Sequence, residues 1–181
     1  MTIGLNVIIG NVIATIAAMF MIYAGVLKEK KKILYVQTIQ IILLVMSNFV
    51  LGGIVGGIVN ILCAIRNILA YNEKLGLKEK VILSVLSVGI SLYFNDRGFL
   101  GLLPMFSTTL YIWLMNVKDV VKFKWLIVFT NFTWFIYDVL ILSIVTVFFD
   151  VICISTNIGS IIDIVRKRKK SEKEIKNEQK V

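Results

Sequence analysis

Histidine is absent from the 181 residues, and Pro104 is the single proline. Without an imidazole there is no Ser-His or Cys-His pair, no His-containing zinc site and no side chain that ordinarily titrates near neutrality. Cysteine is almost as scarce. Cys63 and Cys153 each lie inside an apolar run, so there is neither a disulfide framework nor a metal-ligand spacing, and both read as small buried hydrophobes. Charged residues make up only 17%, and no polar stretch is long enough for a soluble domain. A phosphate-cradling glycine loop is also missing, so no enzyme, no cofactor and no metal are expected.

What the chain has is apolar sequence. With 58% hydrophobic residues and a mean hydropathy of +0.87, it belongs with multi-pass membrane proteins. At ~20 residues per spanning helix, this length holds about seven helices. Apolar segments run over 4–27, 33–51, 54–71, 81–94, 99–116, 125–142 and 144–165. The first, with no basic region before it, reads as a retained helix rather than a cleaved signal. Gly52, Gly53, Gly56 and Gly57 suggest close packing of the second and third helices, with a homo-oligomer contact as the alternative. Pro104 suggests a hinge in the fifth.

A net charge of +9 raises the question of nucleic acid, and the placement of the basic residues argues against it. They lie between apolar runs and in the tail, where they act as orientation signals beside a lipid bilayer. An outside N-terminus puts Lys28, Lys30, Lys31, Lys32, Lys74, Lys78, Lys80, Lys118, Lys122, Lys124 and the tail cations in the cytoplasm. Arg97 falls outside and Arg66 within a helix. The C-terminus is then cytoplasmic, and 166–181 reads as a basic, disordered tail.

A gapless shift of ninety positions lays the first three segments on the last three. Asn48 meets Asp138, Asn60 meets Asp150, Cys63 meets Cys153, and Asn67 meets Asn157. The expected fold is all-α, with two parallel three-helix repeats joined by a linker helix. Its parts are a first bundle at 1–71, a linker helix with loops at 72–98, a second bundle at 99–165 and the tail. Among transporter folds, this is the architecture in which a site lies at the repeat interface near the midplane.

Polar residues inside the segments supply candidates for that site. Asn60 and Asn67 share one helical face with Cys63, as Asp150 and Asn157 do with Cys153. Paired amides can hold a small neutral hydroxylated solute; alternatively they join neighbouring helices. Asn131, Trp134 and Asp138 form a further face resembling a sugar-stacking wall. Asp150 reads either as ionised and wet in an outer vestibule or as a desolvated proton carrier. Arg66 needs a partner or an escape to the cytoplasmic surface. Its expected contacts are Thr156 and Asn157.

Leu51-Gly52-Gly53, Ala64-Ile65-Arg66, Leu102-Leu103-Pro104 and the Trp134, Ile136, Asp138 pattern together resemble bacterial inner-membrane proteins of the YgjV type, related to the SWEET and PQ-loop superfamily. The resemblance spans the first helix to Arg166. It implies a SWEET-like fold in the bacterial inner membrane, with Asn67 and Asn157 at the positions where sugar carriers contact substrate. Sugar carriers place prolines in the first two helices of each repeat, and this chain has only Pro104. A permease for a small polar solute such as a sugar is the leading expectation, and a non-transporting scaffold is the alternative.

Overall fold

The computed structural model describes residues 4–52, 54–95, 98–140 and 144–178. The apolar runs become seven α-helices among these residues: α1 Leu5–Val26, α2 Lys30–Val50, α3 Ile54–Tyr71, α4 Leu77–Tyr93, α5 Leu102–Leu114, α6 Val120–Leu140 and α7 Ile144–Glu178. A short 3-10 turn, Gly98–Gly101, leads into α5. Helices satisfy their backbone polar groups internally, which is what an apolar surround demands. Three stretches, Leu5–Val26, Lys30–Val50 and Thr146–Asn177, are long and apolar enough to cross a membrane, while Gly56–Tyr71 and Gly98–Leu114 are apolar but shorter.

Helix α2 packs between α1 and α3, and α6 packs between α5 and α7. Contacts of α1 with α7, and of α4 with both α3 and α5, join the two groups. Large apolar side chains such as Val12, Met19, Phe106, Phe129 and Phe132 face outward, whereas Ser47, Asn67, Ser107, Thr130 and Asn157 are buried. This inside-out distribution suits a lipid surround. The glycines of α3 bring α2 close: a Cβ on Gly56 would lie 2.8 Å from Asn48 Oδ1, and one on Gly57 would lie 2.9 Å from the Phe49 ring. Gly53 lies outside the described residues, as do Arg97 and the expected break at Leu142-Ser143.

One end of the bundle collects the basic residues. Lys28 pairs with Asp163, Lys31 with Glu73 at 3.2 Å, and Arg168 with Asp119 at 2.8 Å. Lys30 donates to the Val117 carbonyl at 2.8 Å, and Lys80 donates to that of Trp113 at 2.9 Å. These carbonyls lie at or just past the C-terminus of α5, where a helix carries partial negative charge. Asp119 caps α6, accepting from the backbone N–H groups of Val121 at 2.9 Å and Lys122 at 3.0 Å. The bond from Lys122, followed by the Arg168 contact, holds its carboxyl below the ordinary carboxylate range.

Three expectations change. Helix α7 continues to Glu178, where a disordered tail was expected from residue 166. The extension contains strong helix formers and no Gly or Pro, and it is tied down by Arg168–Asp119 and Lys170–Glu174. Pro104 falls in the first turn of α5, where a missing N–H breaks no helical bond, so it makes no mid-helix hinge. Lys124 is not in a loop. Helix α6 begins at Val120, and the Lys124 side chain is fully buried.

Candidate functional site: a buried polar centre

Gly25 sets the distance between α1 and α7. A Cβ there would lie 2.3 Å from Thr156 Oγ1 and 3.0 Å from Asn157 Nδ2, so only glycine allows the approach. Its carbonyl belongs to the last turn of α1 and has no intrahelical partner. Lys124, reaching in from α6, donates to this oxygen at 2.7 Å and to Asn157 Oδ1 at 3.3 Å. The ammonium therefore acts as a buried C-terminal cap for α1. Asn157 Nδ2 donates back to the Cys153 carbonyl at 2.9 Å, and Asn131 Nδ2 reaches Cys153 Sγ at 3.2 Å.

The other half of the centre is built on α3. Arg66 and Asn67 are adjacent and both are buried. The Arg66 guanidinium donates from Nε and Nη2 to Asn67 Oδ1 at 3.1 and 3.0 Å and lies 4.4 Å above the Tyr111 ring. A desolvated cation–π contact contributes ~2 kcal/mol. The Tyr111 hydroxyl donates to Gln37 Oε1 at 3.0 Å, tying α5 to α2. The Tyr111 ring also lies 6.1 Å from that of Phe123, the residue before Lys124 on α6. Asn67 Nδ2 is buried without a hydrogen-bond partner.

A further polar pair lies seven residues along α7, about 10 Å from Asn157 by helical rise. Asp138 and Asp150 are buried side by side, one on α6 and the other on α7. Asp150 Oδ2 has no partner. The wet Asp150 of an outer vestibule expected from sequence is therefore replaced by a buried one, because α6 brings Asp138 against it.

Of the candidate residues, Asn157 and Asn131 join the network around Lys124, and Arg66 and Asn67 bond each other on α3. Asn60 is half-buried and makes none of these hydrogen bonds. Trp134 keeps 37% of its surface exposed and meets Tyr137 edge-on, so it forms no wall of the centre. Arg66 does not reach Thr156 or Asn157, since α3 packs on α2 and α4 while α7 packs on α6 and α1. Neither does it escape to the surface, being 7% exposed beneath Tyr111. Lys124 takes the place expected for Arg66. Its sequence signal is the spacing of seven to Asn131, which puts both on one face of α6.

The centre is closed: Asn67 is 0% and Asn157 1% exposed. Two surface grooves lie elsewhere, one along Lys28, Ile164, Lys167 and Arg168, the other along Val7, Asn11, Thr15 and Met19. The polar groups buried there are amides, a guanidinium and an ammonium. Comparison with curated proteins and with solved structures returns no match. Residues 8–168 match a family described as bacterial inner membrane protein. Seven helices with apolar outer faces and a buried polar interior are what such a protein requires, and the chain belongs to this family, Imp-YgjV.

Proposed function

We propose that the chain is a carrier that moves a small polar solute across the bacterial inner membrane by alternating access around the Asn67–Asn157 centre. All seven helices span, as two parallel three-helix repeats with α4 as the linker. The observation that carries this reading is the equivalence of the two asparagines. They are ninety positions apart, both are fully buried, and each has its Oδ1 held by a buried cation, Asn67 by its chain neighbour Arg66 and Asn157 by Lys124 from α6. The shared packing order, with α2 between α1 and α3 and α6 between α5 and α7, supports the repeat. The basic end faces the cytoplasm, with the N-terminus outside.

Flux into liposomes containing the purified full chain tests the reading, using labelled sugars, polyols and their acids. Saturable uptake that is lost in Asn67→Ala and Asn157→Ala, with melting temperatures near that of the parent, is the expected result. A second reading, a non-transporting scaffold, draws on the tight packing of the centre. It predicts no uptake of any solute, with both alanine variants merely less stable.

A further inference from the structure

Among the described residues, Asp138 and Asp150 are the buried acids, 9% and 7% exposed, and they lie side by side where α6 packs on α7. Every ion pair among these residues lies at the basic end or along the tail, so neither acid belongs to one. Lys124 is fourteen residues from Asp138 on α6, ~21 Å by helical rise. Thr146 lies against Asp138, Tyr137 precedes it, and Cys153 follows Asp150 by one turn. The other neighbours of α6 and α7 are α5 and α1, whose titratable side chains are Tyr111 and Tyr23.

Two adjacent carboxylates cannot both stay ionised in an apolar interior, because their repulsion adds to the loss of hydration. One proton relieves both costs, and it needs no cavity. Asp150 Oδ2, buried without a hydrogen-bond partner, is an oxygen free to take it. Ninety positions earlier the same places hold Asn48 and Asn60, and Asn48 satisfies its amide on its own helix by donating to the Leu44 carbonyl at 2.8 Å. Neutral amides therefore meet the packing demand in the first half, and only the second half has ionisable groups there. Asp150, Cys153 and Asn157 share one face of α7, and Asn131, seven residues before Asp138, donates to Cys153 Sγ at 3.2 Å. The acid pair is thus built on the same α6–α7 seam as the Asn157 network.

We propose that Asp138 and Asp150 share one exchangeable proton, whose binding and release couple the carrier to the proton gradient. The inference rests on the carrier reading and names its coupling ion. The pair lies towards the end of α6 opposite the basic residues, so one carboxylate takes its proton from water outside. It returns the proton to cytoplasmic water when the seam opens inward, and the pair is doubly ionised only while it is wet.

Infrared difference spectra of the full chain in nanodiscs, taken between neutral and alkaline pH, test the site without any solute. The expected result is a protonated-carboxyl C=O band that shifts in heavy water, vanishes on alkalinisation and is missing from both Asp150→Asn and Asp138→Asn. Each variant leaves a single carboxylate facing an amide donor, so it ionises; where one fails to fold, the other serves. A parent without the band at neutral pH overturns the proton, as does a melting temperature raised by sodium over choline, which would make the ligand a metal cation. Liposome flux of the labelled sugars, polyols and acids tests the coupling: an exterior more acidic by about one pH unit accumulates the solute ~tenfold, and Asp150→Asn abolishes that accumulation. Uptake indifferent to the gradient overturns the coupling and leaves the carrier standing. No uptake of any solute overturns the carrier and the coupling together.

Discussion

The cations at the basic end and those in the centre obey opposite rules. At the end, Lys28, Lys31 and Arg168 are exposed and each faces a carboxylate. Such pairs contribute only ~0–1 kcal/mol, because water and salt already screen them. In the centre, Arg66 and Lys124 are buried against carbonyl oxygens and a ring, where charge is costly to keep. Cations placed for orientation are cheap and neutralised. Those placed in the interior are neither.

The sharpest way to break this contrast is Lys124→Ala. It leaves the Gly25 carbonyl and Asn157 Oδ1 without their donor and opens a void, destabilising by ~3 kcal/mol in equilibrium unfolding. An unchanged stability removes Lys124 from the interior. Gly25→Ala comes next, since the new methyl meets Thr156 and Asn157 at contact distances no real Cβ shows. The α1–α7 contact must widen, at ~1–3 kcal/mol, and flux falls with it. Unaltered stability and flux would mean that the close approach is not needed.

Smaller effects belong to the basic end. Asp119→Ala removes the cap of α6 and destabilises by ~1 kcal/mol. The Asp119 carboxyl is held below its ordinary pKa of 3.8. Its contribution is therefore complete above that value and disappears as the pH falls through the lowered folded pKa. The gap between parent and variant should close on acidification, and a gap that persists in acid rejects the cap. Asp163→Asn, which removes the partner of Lys28, leaves melting and flux unchanged; a large loss of either would erase the distinction between end and centre.

Much of the fold could be read from the chain, because apolar runs bounded by lysines and glycines mark helices directly. The starts of α2, α4 and α6 lie three to five residues earlier than the runs, since lysine and glutamate extend a helix without being apolar. The pairing of Asn67 with Asn157 was visible as rare polar residues repeating at one interval. The cations were harder. Lys124 sits two residues from Lys122 and looks like loop charge, yet the helical turn sends Lys122 outward and Lys124 in beside Phe123 and Ile127. Arg66 was recognised as buried, but its partner depended on which helices are neighbours, and hydropathy does not reveal that. Tyr111 could have been found only through Arg66.

A carrier whose centre is packed shut in this conformation must open it to each side of the membrane in turn. The native Cys153, left as the single cysteine by Cys63→Ala, tests it in sealed vesicles of both orientations using an impermeant thiol reagent. Slow labelling from both sides, protected by the transported solute, is the predicted result. Absence of labelling from either side in a protein that remains folded would contradict it.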